Sequence, residues 1–146
     1  MYNLRVYGIL IENNAVLLSD EYYNGMYITK FIGGGHEIGE SLPNCLIREF
    51  KEELNLDIII KSHFYTTDFY VQSFFNPNEQ LISIYYIIEL AKSSAINVSH
   101  KKFDFEPENN AQSLRWLPLT KLNEDEVTFT IDKKVVSLLK KSYCIL

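Results

Sequence analysis

The sequence predicts an α/β fold in which a mixed β-sheet carries helices on its faces. Two observations support this class: several short segments are rich in β-branched and aromatic residues, and in two other segments the apolar residues recur at helical spacing. Strand-like segments both precede and follow the first helical one. With 146 residues, 47% of them hydrophobic, the chain can bury one substantial core, so we expect a single domain over residues 1–146.

The first third of the chain indicates a β-hairpin followed by a third strand. Residues 4–11 and 15–19 are β-rich, and the polar residues 12–14 between them favour a turn. After a second turn, residues 26–32 predict a strand that leads into the glycine run Gly33-Gly34-Gly35. We therefore expect these strands to deliver the glycines to one edge of the sheet.

Residues 42–54 have the period of an amphipathic helix. Its expected inward face consists of Leu42, Leu46, Phe50 and Leu54. Ser41 is a suitable N-cap, and Pro43 lies in the first turn, where its missing N–H has no cost. Asn55 follows the last turn and tolerates the left-handed conformation that ends many helices.

The rest of the chain predicts more strands and a final helix. Residues 56–75 and 81–90 indicate a long hairpin, residues 93–112 a polar loop, and residues 114–117 a short strand. Residues 131–139 predict a terminal helix. Its expected inward residues are Ile131, Val135, Leu138 and Leu139.

Many aromatic residues lie in the strand-like segments. We expect most of them to fill the sheet core and one or two to contact a substrate. The members of this cluster are Tyr22, Tyr23, Tyr27, Phe31, Tyr65, Phe69, Tyr70, Phe74 and Phe75. The three histidines, His36, His63 and His100, have no metal-ligand spacing, so we expect surface or structural roles, with His36 in the glycine loop as the one to examine.

Composition excludes several classes of function. A net charge of −5 with only 14 Lys and Arg argues against binding a nucleic acid polymer. No apolar stretch is long enough for a membrane helix, and residues 1–6 do not resemble a secretory signal. Cys45 and Cys144 show no disulfide pattern, so we expect reduced thiols and a cytoplasmic protein.

The chemically informative residues are three glutamates in the predicted helix. Glu49, Glu52 and Glu53 are spaced i, i+3 and i+4, which directs their carboxylates to one side of a helix. Three nearby anions repel one another, so such a cluster raises its pKa values or recruits a cation. Oxygen ligands without His or Cys suit a hard ion, Mg²⁺ or Mn²⁺, and glycines let backbone groups approach the same ion or a phosphate.

The segment from Gly34 to Leu56 resembles the Nudix box, which has the pattern glycine, five residues, glutamate, seven residues, and then Arg-Glu-aliphatic-x-Glu-Glu-x-Gly-aliphatic. Both internal gaps match. The matching residues are Gly34, Glu40, Arg48, Glu49, Glu52, Glu53 and Leu56, with Glu37 and Gly39 fitting a common extension. Phe50 takes the place of an aliphatic residue, and Asn55 takes the place of the last glycine.

This resemblance implies a Nudix-type α/β/α sandwich whose box loop-helix-loop binds Mg²⁺, with Mn²⁺ as an alternative, and hydrolyses a nucleoside diphosphate linked to another moiety. It implies catalytic roles for Glu49, Glu52 and Glu53, all three as metal ligands, with Glu49 alternatively a base. Gly33 is implied as a backbone ligand. The residues expected to act structurally within the box are Gly34, Glu40, Arg48 and Asn55, with Arg48 and Glu40 as an ion pair.

The family often has a further carboxylate before a strand resembling Trp116-Leu117-Pro118-Leu119. The matching position here is Asn110, so Glu106 and Glu108 are the candidate outer carboxylates. The general base and the substrate are not chosen by the box. A nucleoside triphosphate and a nucleotide conjugate both fit, and a homodimer is compatible with the family.

A second hypothesis is a catalytically silent Nudix module that binds a nucleotide or metabolite as a sensor. The retention of all three box carboxylates argues against it. A third, a plain interaction domain with an acidic helix, leaves Gly34, Glu40 and Arg48 unexplained. Arg5 and Arg115 are candidate phosphate clamps, but no motif selects either, and Cys45 is expected to pack rather than to react.

Overall fold

A computed structural model describes residues 1–93 and 95–143 of the chain. Its strands are β1 (Tyr2–Glu12), β2 (Ala15–Tyr23), β3 (Met26–Lys30), β4 (Ile32–Gly35), β5 (Ile58–Thr66), β6 (Gln80–Leu90) and β7 (Ala111–Pro118). Its helices are α1 (Leu42–Leu54) and α2 (Thr130–Ser142), and 3₁₀ turns cover Leu119–Lys121 and Glu124–Glu126. This is a mixed α/β fold, as predicted; Cys144 lies outside the described residues.

The chain divides into two compact units. Unit 1 comprises Met1–Leu10 and Ile32–Ser94, and unit 2 comprises Ile11–Phe31 and Ala95–Leu146. The first unit contains the whole glycine run and α1, which are the segments that resemble the Nudix box. The expectation that residues 1–146 act as one domain stays a prediction.

The sheet of unit 1 is mixed. Strand β1 pairs in parallel with β6, from Tyr2 opposite Gln80 to Leu10 opposite Ile88. On its other edge β1 pairs antiparallel with β4, and β6 pairs antiparallel with β5. The hairpin predicted for the middle third is therefore confirmed as β5 and β6, although its first strand ends at Thr66 rather than Phe75.

The glycine run is part of a strand, which the sequence did not predict. The single strand expected over residues 26–32 is wrong: β3 ends at Lys30, and β4 begins at Ile32 and includes the glycines. A Cβ added to Gly33 would lie 1.9 Å from the carbonyl oxygen of Val6. Only glycine therefore lets β4 approach β1 this closely.

Helix α1 packs on the sheet of unit 1 through Phe50. A Cβ added to Gly8 in β1 would lie 2.9 Å from Cε2 of Phe50 and 2.8 Å from Cδ1 of Ile88, so the aromatic ring lies on bare backbone. This space accommodates the aromatic residue at a box position where the family usually has an aliphatic one. Leu46 and Phe50 are buried as predicted, whereas Leu42 and Leu54 are only half-buried.

The prediction that most of the aromatic cluster fills the core is wrong. Phe31 and Tyr65 are buried, and Tyr22 is half-buried. The exposed members are Tyr23, Tyr27, Phe69, Tyr70, Phe74 and Phe75. Four of these six lie between β5 and β6, where the chain leaves the sheet, so their spacing does not mark a buried sheet face.

Unit 2 is built on β2, which pairs antiparallel with β3 and, on its other edge, with β7. The predicted first hairpin is confirmed, because Ile11 pairs with Val16 across a two-residue turn. Both turn residues, Asn13 (φ 51°) and Asn14 (φ 60°), adopt the left-handed conformation of a type I′ turn. Such a turn matches the natural twist of the strands that it joins.

Helix α2 buries most of its expected apolar face against unit 2. Ile131, Val135 and Leu139 are buried as predicted, but Leu138 is only half-buried and Val136 is buried in its place. The inward stripe is therefore shifted around the helix by part of a turn.

Within residues 1–93 and 95–143, no helix has the length and apolar character needed to cross a bilayer.

We expect Gly33→Ala to destabilise the protein by at least about 2 kcal/mol, because the new methyl group overlaps the backbone of β1. Gly35→Ala is the matched control: its Cβ would have Arg5 Nη1 as its nearest neighbour, at an ordinary 3.7 Å. Urea unfolding of both variants measures the difference. Equal free energies of unfolding for the two variants would show that close strand approach at Gly33 is not the constraint.

Candidate active site

The bounds of α1 are set by local capping. The hydroxyl of Ser41 accepts a hydrogen bond from the backbone N–H of Asn44 at 3.1 Å. At the other end, Asn55 has φ 52° and ψ 38°, and its N–H donates to the carbonyl of Lys51 at 3.0 Å. Asn55 thus takes the left-handed conformation expected of the glycine that it replaces. These caps fix where the box carboxylates lie along the helix.

Arg48 and Glu40 form a two-pronged ion pair. Arg48 Nε donates to Glu40 Oε2 at 2.9 Å, and Nη2 donates to Oε1 at 2.7 Å. Nη2 also donates to the carbonyl of Gly35 at 3.1 Å, and the N–H of Glu37 donates to Glu40 Oε1 at 2.9 Å. Arg48 therefore ties the loop of the box to the helix of the box at several points.

These contacts hold both partners in their charged forms. The hydrogen bonds from Arg48, followed by the backbone bond from Glu37, lower the pKa of Glu40 from 4.5 to about 2. In return, the hydrogen bond to Glu40 raises the pKa of Arg48 above its already high ordinary value. The pair is consequently ionised throughout the physiological pH range.

Arg48 also faces the carboxylates that were predicted to bind metal. Its Nη1 lies 3.0 Å from Glu49 Oε1 and 3.3 Å from Glu52 Oε2. The Glu49 side chain is 12% exposed, whereas that of Glu52 is 61% exposed. An exposed i, i+4 pair contributes only about 0.3–0.5 kcal/mol, so Glu52 can turn away from Arg48 at little cost. Arg48 thus supplies part of the positive charge that the cluster needs.

Gly34 makes room for the Glu49 carboxylate. A Cβ added to Gly34 would lie 2.4 Å from Cδ of Glu49 and about as close to both of its oxygens. The side chain of Glu49 therefore lies directly against the backbone of β4. The first glycine of the box is explained by this contact, because any side chain there would displace the carboxylate.

The donor set fits a hard divalent cation. Glu49, Glu52 and Glu53 offer only oxygen ligands from one helix, and Glu53 is exposed. Glu49 is held against Gly34, and Glu52 is held by an ion pair with Arg48 in which its own side chain is largely exposed. In the side-chain positions of residues 1–93 and 95–143, no group of three or more His, Cys, Asp or Glu is already arranged as a metal site. The ligand assignments, that of the Gly33 carbonyl included, stay predictions.

Two further residues of the box region have structural contacts. His36 Nε2 lies 2.7 Å from the carbonyl oxygen of Glu40, and since a carbonyl only accepts, Nε2 is the donor. Cys45 is fully buried, and its burial, with the neighbouring Glu40 carboxylate, raises the thiol pKa from 9.0 to about 12. His36 therefore braces the loop, and Cys45 packs instead of acting as a nucleophile.

Arg5 lies beside the glycine run, which no sequence motif indicated. It is paired with Gly35 in the β1–β4 register, and its Nη1 would lie 3.7 Å from a Cβ on that glycine. Arg5 Nε donates to the hydroxyl of Tyr7 at 2.6 Å. Only the pairing of β4 with β1 brings this cation to the box loop, so sequence spacing alone could not select it.

The candidate outer carboxylates, Glu106 and Glu108, are exposed in the loop before β7 in unit 2. The N–H of Glu108 donates to the carbonyl of Glu106 at 2.8 Å, which folds this loop into a local turn. Asn110 (φ 69°) ends the loop, and its N–H donates to the carbonyl of Tyr22 at 2.9 Å. The role of either glutamate as a metal ligand stays a prediction.

The Glu40–Arg48 pair predicts a specific pH dependence of stability. Because the folded-state pKa of Glu40, about 2, lies below its ordinary value of 4.5, the pair stabilises the fold fully above about pH 4.5. Its contribution is lost as the pH falls from there towards 2. We expect the free energy of unfolding to fall less steeply over this range in Glu40→Gln than in the wild type. Glu89→Gln, an exposed carboxylate on β6, is the control; parallel curves for Glu40→Gln and the wild type would contradict the assignment.

The fold matches solved structures of Nudix proteins. The Escherichia coli ORF135 protein superposes with a TM-score of 0.71 at 13% identity, covering 97% of this chain and 91% of that one. A MutT Nudix hydrolase from Burkholderia pseudomallei gives 0.71 at 13% identity, covering 95% and 98%. An ADP-ribose pyrophosphatase from Streptococcus suis gives 0.61 at 17% identity, covering 97% and 91%. At these identities the likeness shows the fold.

No curated protein sequence matches this chain. The family model for the NUDIX domain, however, matches residues 1–139, nearly the whole chain, and the match includes every box residue described above. The matched residues include the capped helix α1, the Arg48–Glu40 pair and Gly34, which makes room for Glu49. The chain belongs to the Nudix family.

Proposed function

We propose that this protein hydrolyses a diphosphate bond in a nucleoside diphosphate linked to another moiety. The observation that carries the proposal is the box geometry: Arg48 and Glu40 lock the loop to α1, and the box carboxylates remain on that helix. A purely structural acidic helix would not need a glycine that makes room for a carboxylate at the sheet surface, as Gly34 does for Glu49.

The ion in this proposal is Mg²⁺, with Mn²⁺ able to replace it, held by Glu49, Glu52, Glu53 and the backbone carbonyl of Gly33. When bound, such an ion neutralises charge on the phosphates and lowers the pKa of a coordinated water. Glu52 and Glu53, the exposed members of the set, would bind the ion at the helix surface. Glu49 supports it from its seat against Gly34, either as a ligand or as the base that accepts the proton of the attacking water.

Other residues of unit 1 hold this arrangement in place. Arg48 fixes Glu40 and contacts Glu49, and His36 braces the carbonyl of Glu40, so the loop keeps its position against the helix. Arg5 places a second cation beside Gly35, where it can pair with a phosphate group of the substrate. The residues therefore divide into a rigid frame and a small set that meets substrate and ion.

The substrate in this proposal is a nucleoside triphosphate or a nucleotide conjugate, and specificity lies in loops outside the box. These loops are residues 20–25, 74–80 and 93–112. One structural neighbour is named an ADP-ribose pyrophosphatase, a name consistent with a nucleotide conjugate as the substrate. We further propose that residues 1–146 act as a single Nudix domain. A cytoplasmic location and a homodimer stay predictions.

A substrate panel tests the proposed function. The purified protein is incubated with nucleoside triphosphates, oxidised nucleotides, nucleotide sugars and dinucleoside polyphosphates, with Mg²⁺, with Mn²⁺ or with EDTA, and released phosphate and pyrophosphate are measured. We expect metal-dependent cleavage of one class. Binding of a panel member without turnover, by folded protein, would instead support the sensor hypothesis.

Glu53→Gln tests the ligand assignment. The change keeps the size of the side chain but removes the charge that holds the ion, so we expect kcat/KM on the cleaved substrate to fall by about 100-fold or more, with an unchanged melting temperature. Glu89→Gln removes one exposed carboxylate from β6 and should retain wild-type kcat/KM. Near-normal turnover by Glu53→Gln would refute the assignment.

A further inference from the structure

Unit 2 contains a cavity of about 360 Å³ that includes no residue of the box. It lies along β7, between the loop at residues 98–102 and the two 3₁₀ turns that follow β7. Its polar lining consists of Ser99, His100, Lys102, Arg115, Lys121 and Glu126. A water molecule occupies about 30 Å³ of liquid, so this cavity has room for a ligand group and not only for one bridging water.

Arg115 is the buried cation of this cavity. Its side chain is only 7% exposed, and its Nε donates to Asp20, which is fully buried, at 2.7 Å. Asp20 is in turn held by the hydroxyl of Thr29 at 2.7 Å. The guanidinium therefore has a fixed position, set by a buried network on β2, β3 and β7.

The other end of the same guanidinium lacks a hydrogen bond. Within the described residues, Arg115 Nη2 and Glu126 Oε2 are buried atoms without a hydrogen-bond partner, and they lie 3.7 Å apart. A donor for Glu126 lies close by, because Lys102 Nζ is 3.0 Å from the same oxygen and can rotate to donate to it. Glu126 Oε2 is beyond hydrogen-bond distance of Arg115 Nη2, and once Lys102 donates to that oxygen Nη2 still has no hydrogen-bond acceptor among the described residues. A buried donor without an acceptor is costly, so an acceptor oxygen from a bound ligand would stabilise this guanidinium.

The charges around the cavity leave a surplus that an anion would balance. Lys102, Lys121 and Arg115 are cationic. Glu126 pairs with Lys102 and Arg115, and Asp20 pairs with Arg115. Lys121 has no carboxylate partner among the ion pairs of the described residues. This local excess of positive charge lies in a chain whose net charge is −5.

The free edge of β7 adds a backbone donor. Ser99 N–H donates to the carbonyl of Leu114 at 2.7 Å, on the edge of β7 away from β2. Backbone groups alternate along a strand, so the N–H of Trp116, two residues later, points to this same edge. Trp116 lines the cavity. Oxyanions are commonly held by such a combination of guanidinium, ammonium and backbone N–H groups.

We propose that this cavity is an oxyanion site in which Arg115, Lys121 and the Trp116 N–H hold one phosphate or carboxylate group of a small ligand. The site lies wholly within unit 2, and its occupancy does not depend on the hydrolytic function proposed for the box. The shared chemistry of the ligand is one compact anionic group with several acceptor oxygens.

Fluorescence of Trp116, the single tryptophan of the chain, tests this proposal without any substrate. The protein is titrated with sodium phosphate and, separately, with sodium acetate, at an ionic strength held constant with sodium chloride. We expect a saturable change with at least one of the two anions. Saturation with phosphate alone assigns the site to phosphate groups, saturation with acetate alone assigns it to carboxylates, and saturation with both supports a general oxyanion site.

Lys121→Gln is the test variant, because it removes a cavity cation without breaking the Arg115–Asp20 pair. It should raise the dissociation constant of the anion by about fivefold or more. Lys134→Gln, an equal charge change on the exposed face of α2, should leave the dissociation constant within about twofold of the wild-type value. Arg115→Lys, checked for folding by circular dichroism, should abolish saturation. No saturable response to either anion, or equal dissociation constants for the two lysine variants, would overturn the proposal and leave the cavity to water.

Discussion

The guanidinium of Arg48 is the contact on which the rest of the candidate active site depends. It reaches the loop through Glu40 and the Gly35 carbonyl, and it reaches the helix through Glu49 and Glu52. A planar group with donors fixed in a fork can satisfy partners in these several directions at once, which an ammonium cannot. Without it, the loop would have no charged link to α1 and the glutamates would face one another with less compensation.

This arrangement explains how a cluster of carboxylates is stable before any ion binds. Glu40 is paired with Arg48 and holds the loop against the helix, and the low pKa of Glu40 reflects this ion pair. Glu49 is seated against Gly34, whereas Glu52 and Glu53 remain exposed on the helix surface. A divalent ion would therefore compete with Arg48 for Glu49 and for the more exposed Glu52, whose i, i+4 ion pair contributes only about 0.3–0.5 kcal/mol.

The parts of the fold that sequence predicts are those with local causes. Helix α1 follows from its apolar period, its Ser41 cap and the left-handed tolerance of Asn55. The sequence does not predict strand β4, because its glycines pair with residues 5–7 of β1, which are remote in sequence. The aromatic residues between β5 and β6 were misplaced because alternation does not reveal where a strand leaves the sheet.

The same distinction applies to the candidate sites. The box spacing was sufficient to predict the Arg48–Glu40 pair, since both residues belong to one continuous motif. Arg5 could be selected only from the register of β1 with β4, and Arg115 only from its contact with Asp20, on a different strand. In each of these cases the significant neighbour is supplied by strand pairing and not by sequence spacing.

The central claim is that the box carboxylates hold a divalent ion, and electron paramagnetic resonance of free Mn²⁺ tests it most directly. Titrating Mn²⁺ into the wild type, Glu53→Gln and Glu89→Gln gives a dissociation constant for each without requiring a known substrate. We predict that Glu53→Gln weakens Mn²⁺ binding by about tenfold or more, which corresponds to about 1.4 kcal/mol, and that Glu89→Gln binds like the wild type. Equal affinity of the wild type and Glu53→Gln would contradict the claim.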